Sequence, residues 1–121
     1  MQKDNAKTLQ VSCVQMHWAK PMEYNLRRTL YHIKAAADDG SRLVLFPESN
    51  LTSYHFPYLI NLPAEPVRAA LKRVCKAAAD SGIWVIVGTI QKTSDRFLNL
   101  AHVIDPNGAI VHEYAKINMA G

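Results

Sequence analysis

Only two cysteines occur in the sequence, Cys13 and Cys75, and both fall inside stretches that read as regular elements, which excludes a disulfide-framed scaffold. That usage predicts a reducing, cytoplasmic setting, with both side chains as inert core thiols. Long apolar runs are also missing. The longest, Ile83 to Val87, falls far short of the ~20 residues that cross a bilayer, so no membrane association is expected. Residues 1–8 are polar, with no apolar stretch behind a basic head, and read as a frayed terminus instead of a secretory leader. Gly40, Gly82, Gly88, Gly108 and Gly121 form neither a GxGxxG nor a GxxxxGK pattern, which removes the usual nucleotide fingerprints. His17, His32, His55, His102 and His112 lack metal-ligand spacing, so no metal site is expected. Ser49 has no GxSxG surroundings and reads as a loop serine.

What remains is an ordinary globular composition. With 49% hydrophobic and 20% charged residues, 121 residues suffice for one domain with a real core. The net charge of +4 is scattered, and its densest set, Arg68, Lys72, Arg73 and Lys76, falls on one predicted helix. No aromatic or recognition motif accompanies it, so a solvated helix face is expected and a nucleic-acid partner is not.

Hydropathy patterning gives an alternating α/β order. Leu9 to Trp18 is apolar on parts of both faces and predicts a centrally buried first strand. After Pro21, Leu26, Leu30, Ile33 and Ala37 form a helical stripe that ends at Asp38-Asp39-Gly40. Arg42 to Phe46 predicts a second strand, buried on both sides, parallel to the first and stopped by Pro47. Residues 47–65, with Pro47, Pro57 and Pro63, predict a long loop without regular structure. Val67, Ala70, Leu71, Val74 and Ala78 lie on one face of a second helix that Gly82 ends. Trp84 to Ile90 predicts a buried strand. Leu98 to Ile104 and Ala109 to Tyr114 flank Asp105-Pro106-Asn107-Gly108, a hairpin turn. The sum is a mixed sheet with two helices on one face, and nothing obvious to cover the other.

Two charged residues follow strand ends. Glu48 comes directly after Leu45-Phe46-Pro47, at the carboxyl edge where α/β sheets hold ligands. Lys116 follows the last hairpin strand, in Tyr114-Ala115-Lys116-Ile117. By position alone, a solvated or ion-paired carboxylate and a surface lysine are the commoner readings. Nothing in the spacing forbids, or requires, that they share a cleft. The aromatics Tyr54, His55, Phe56 and Tyr58 either line a pocket mouth or pack on one another.

Four stretches in order, LQVSCVQMHW, GSRLVLFPESNLTSY, GIWVIVGTIQK and FLNLAHVIDPNGAIVHEYAKI, resemble the successive signature segments of the nitrilase superfamily of carbon-nitrogen hydrolases. Most specific are the Phe-Pro-Glu block with Tyr54 behind it and the Asp-Pro-Asn-Gly turn leading to Tyr-Ala-Lys. The resemblance implies that residues 9–121 are part of such a domain, about half of a four-layer αββα sandwich. It implies a Glu-Lys-Cys triad whose first two members match Glu48 and Lys116, with Tyr54 as a substrate-binding residue and no cofactor. The implied substrates are small non-peptide amides, nitriles or carbamoyl amines. Neither cysteine precedes a strand-to-helix turn that would expose a nucleophile, so the third member and a second pocket glutamate are expected outside these residues. A homo-oligomer or a complementing chain would then be a partner. The alternative is an inactive, truncated homologue acting as an interaction or regulatory module. Two departures from the family pattern are Ser53, where glycine often precedes the tyrosine, and Asn118, where histidine often follows the lysine.

Overall fold

The computed structural model describes residues 7–117. Its elements run β1 (Val11–Cys13), α1 (Met22–Asp38), β2 (Leu43–Leu45), α2 (Phe56–Leu59), α3 (Ala64–Ser81), β3 (Trp84–Lys92), β4 (Phe97–Ile104) and β5 (Ile110–Ala115). They form one five-stranded sheet in the order β1-β2-β3-β4-β5, parallel across β1-β2-β3 and antiparallel across β3-β4-β5. The expected mixed α/β sheet is therefore present, and its strands lie side by side in chain order.

Helices α1 and α3 share one face of the sheet. Leu26, Ile33 and Ala36 of α1 and Val67, Ala70, Leu71, Val74 and Ala78 of α3 close over Val44, Val85, Val87 and Ile104. Five buried positions on α3 recur at three- and four-residue spacing, the burial that a 3.6-residue repeat imposes. The α3 ending is as expected: Gly82 adopts φ +64° and its N–H bonds back to the last helical turn. On the outer surface of α3, Arg68 pairs with Glu65, Arg73 with Glu23 of α1, and Lys76 with Asp80, consistent with a solvated basic face. No helix among the described residues is long and apolar enough to cross a membrane.

Several expectations need correction. The first strand is three residues, not ten, and lies at the sheet edge instead of its centre. An edge strand has one ladder partner, and the polar residues after Val14 find none in the sheet. The second strand is buried on one side only: Val44 is fully buried, whereas Leu45 is 40% exposed on the opposite face. The segment 47–65 contains a helical turn, α2, which Pro57 favours by fixing φ in the first turn, and its last two residues already belong to α3. Cys13 is exposed, because it lies on the uncovered face of that edge strand, so it is not a core thiol. Of the expected frayed start at 1–8, residues 1–6 lie outside the described residues, as does Asn118.

The hairpin turn is built as its sequence requires. Asp105 Oδ1 accepts the N–H groups of Asn107 and Ala109, and the Gly108 N–H bonds to the Asp105 carbonyl. Gly108 is needed twice over: its φ is +87°, and an added Cβ would lie 2.7 Å from the Cys75 carbonyl oxygen on α3. The turn is thus wedged under α3 at the point where β4 passes into β5, the edge strand beyond it.

Candidate active site

Side chains alternate along the strands, so the ladder register states which residues share the face opposite α1 and α3. Leu45 and Ile86, then Gly88, Ala101 and Tyr114, lie on it, and so does Asn99. These residues, with Phe46, Pro47, Glu48 and Lys116, line a recess of about 370 Å³. Its wall is apolar, and its polar groups are gathered at one end.

At that end the two charged residues expected from the sequence meet. Lys116 Nζ lies 3.4 Å from Glu48 Oε2 although 68 residues separate them. Both side chains are partly open to solvent, 38% and 46% exposed, so the pair contributes less than about 1 kcal/mol to stability. The fold therefore gains little from this pair.

Sequence reasoning missed Asn99. Its Nδ2 donates to Glu48 Oε2 at 2.5 Å, and its main-chain carbonyl accepts the Lys116 N–H at 2.8 Å. The signal was present in Phe-Leu-Asn-Leu: asparagine is disfavoured inside strands, and a buried one at 5% exposure needs a partner.

The loop after β2 holds Glu48 in place through buried polar contacts. Asn50 Oδ1 accepts the Gly88 N–H at 3.0 Å, and Asn50 Nδ2 donates to Thr29 Oγ1 on α1 at 3.0 Å. The Leu51 N–H bonds to the Gly88 carbonyl, and Thr52 Oγ1 accepts the Ile90 N–H. Asn25 of α1 ties the same loop from behind by donating to the Leu51 carbonyl. Two residues of the loop take positive φ, Ser49 at +55° and Ser53 at +80°. Position 53 is therefore one that glycine fills without strain, a physical reason for glycine to occur there in related sequences. Replacing Asn50 by alanine is expected to leave the buried Gly88 N–H without an acceptor and to lower stability by about 1–3 kcal/mol, read from urea unfolding.

Tyr54 does not line the recess. Its ring meets Phe56 edge-on at 5.4 Å, and Phe56 meets Phe97 at 5.0 Å. Phe97 shares a sheet face with Asn99, two residues on, so this aromatic stack borders the polar end of the recess.

Neither cysteine is at the recess. Cys75 belongs to α3 and faces a groove with Gln91 and Glu113, on the other side of the sheet, and Cys13 lies on the far edge strand. Burial, and then Asp105, push the Cys75 thiol above its ordinary range. Its proton is therefore held more tightly in the folded chain than in the unfolded one. The associated stability is fully present below the unfolded thiol value and is lost as pH rises through the folded one. Iodoacetamide at pH 8 is expected to alkylate Cys13 at least about tenfold faster than Cys75, measured by peptide mass mapping.

Comparison with known proteins identifies the family to which this fold belongs. The carbon-nitrogen hydrolase family pattern matches residues 10–120. An omega-amidase of Xenopus tropicalis is 30% identical over 114 residues, covering 90% of this chain and 40% of that protein. A nitrilase of Pyrococcus abyssi is 31% identical over 94 residues, covering 72% of this chain and 34% of its own. A cysteine-to-alanine mutant of the amidase from Nesterenkonia sp. AN1, in complex with butyramide, superposes with a TM-score of 0.84 at 25% identity, over 93% of this chain and 44% of that one. The chain spans about 40% of the length of the curated relatives it matches. With its sheet, its helical layer and nearly its whole length matched, the chain belongs to the carbon-nitrogen hydrolase family.

Proposed function

We propose that Glu48 and Lys116 are the base and the cation of a Glu-Lys-Cys centre that hydrolyses small non-peptide amides, nitriles or carbamoyl amines. The thiol comes from outside these 121 residues. The observation that carries this reading is the 3.4 Å approach of Lys116 Nζ to Glu48 Oε2 at the end of an apolar recess.

The chemistry assigns each group a task. Glu48 takes the proton of the incoming thiol, and the thiolate attacks the substrate carbon. The Lys116 ammonium stabilises the negative charge that develops on the substrate oxygen. Glu48 then protonates the departing amine and activates the water that hydrolyses the thioester. Tyr54, through its stack on Phe56, forms the substrate side of the mouth. The names of the relatives, an omega-amidase and an amidase that binds butyramide, favour amides within this class.

The test is to join this chain to the cysteine-bearing remainder of a related amidase, in place of the matching segment. Ammonia release from butyramide is expected from the joined protein and from neither part alone. A folded joined protein that releases none from any small amide or nitrile overturns the reading.

A second reading rests on the uncovered sheet face, where Leu45, Trp84 and Tyr114 are exposed. A face of that kind serves association, and the chain is then an interaction module without turnover of its own. Size-exclusion chromatography distinguishes it: a dilute, stable monomer removes this reading.

A further inference from the structure

Both hydrogen bonds that Glu48 receives fall on the same oxygen. Asn99 Nδ2 and Lys116 Nζ each donate to Oε2, and among the described residues no donor reaches Oε1. A carboxylate loaded in this way is not symmetric. Oε2, with two donors, is the less basic atom, and Oε1 keeps its lone pairs for an incoming proton. The geometry points to Asn99 as a positioning residue that turns the Glu48 carboxylate and so fixes which of its oxygens accepts the thiol proton. This assignment rests on the catalytic reading of Glu48 given above.

Asn99 is well placed for the task because it acts on both charged partners from one rigid point. Its side chain holds Glu48, while its carbonyl holds the Lys116 main chain at 2.8 Å. It lies within β4, paired to Ile90 across the ladder, so the strand itself fixes its Cα. Lysine alone would leave the carboxylate free to rotate, because an ammonium on a four-carbon stem is a mobile point charge. A second donor on a short, buried side chain removes that freedom. In the first proton transfer the S–H bond breaks, an O–H bond forms at Oε1, and the Oε2 contacts persist throughout.

Two measurements test the assignment. On the chain itself, a charge-assisted bond from the buried Asn99 side chain to Glu48 predicts one Asn99 side-chain amide proton shifted downfield of the other asparagines and slow to exchange. Glu48→Gln should move that resonance back among the others, and an unshifted resonance insensitive to Glu48→Gln overturns the assignment whether or not any hydrolysis has been seen. In the joined protein, Asn99→Ala is expected to lower kcat by about 10- to 100-fold, part of what general-base catalysis supplies, with KM changed less than about threefold. Asn99→Asp keeps the shape but replaces the donor with a like charge and should lose at least as much. Full activity in Asn99→Asp shows that packing alone is required, and overturns the role.

Discussion

Glu48→Gln in the joined protein is expected to lower kcat for butyramide by at least about 10³-fold while leaving KM within a fewfold, measured by steady-state ammonia release. The amide is nearly isosteric with the carboxylate, and its carbonyl oxygen can still accept from Asn99 Nδ2. It cannot take a proton from a thiol or from water. Both half-reactions therefore lose their base, and the effect exceeds that of removing a group used once. The same substitution should change stability by less than about 1 kcal/mol, because the Glu48–Lys116 pair is half open to solvent. A loss of rate without a loss of fold separates a functional carboxylate from a structural one.

Gly88→Ala is expected to harm fold and rate together. An added Cβ would lie 2.5 Å from the Ser49 nitrogen and 3.2 Å from the Pro47 carbonyl oxygen, both main-chain atoms with little room to yield. The loop would have to lift from β3, breaking the bonds that join the Gly88 N–H to Asn50 and the Gly88 carbonyl to the Leu51 N–H. Overpacking and the lost bonds together are expected to cost about 2–4 kcal/mol in urea unfolding. Because Glu48 is carried on that loop, a displacement of ~1 Å should lower kcat by about 10²-fold more than stability alone accounts for. Gly82→Ala is the control. Its Cβ would meet nothing within 4 Å, though φ is +64°, so about 1–2 kcal/mol of backbone strain is expected with the rate retained.

These contrasts show where the sequence was informative. The helices were legible because apolar spacing along Val67, Ala70, Leu71, Val74 and Ala78 reports burial directly. So was the hairpin, because Asp105, Pro106 and Gly108 each have a local conformational reason to be there. The extent of β1 was not. An apolar run states that residues prefer burial, but whether a neighbouring strand pairs with them depends on the rest of the sheet, and beyond Val14 none does. Glu48 and Lys116 were legible as candidates through family resemblance alone, since each is an ordinary surface residue by position. Asn99 escaped because its partners are 51 and 17 residues away, a proximity that only the folded register creates. The motif around Tyr54 states that an aromatic follows the Glu48 loop, but its edge-on contact with Phe56 is set by the fold of that loop.

The strain in the Glu48 loop fits the same logic. Ser49 and Ser53 hold positive φ within five residues, and the buried Ser49 hydroxyl has no hydrogen-bond partner among the described residues. Backbone outliers of this kind each disfavour the fold by about 1–3 kcal/mol and persist where surrounding contacts over-determine them. Asn25, Thr29, Asn50 and Thr52 supply those contacts from α1 and from the loop itself. The result is a loop that carries Glu48 over Gly88, in the middle of β3.

Intact-mass spectrometry of the joined protein, quenched in acid during butyramide turnover, bears most directly on whether these residues serve a thiol. An acyl adduct on the active cysteine is expected with the native Glu48 and Lys116, and its formation should fall below detection on the turnover timescale in Glu48→Gln. Adduct forming at an undiminished rate in Glu48→Gln would contradict the assignment, because the thiol would then be losing its proton to some other base.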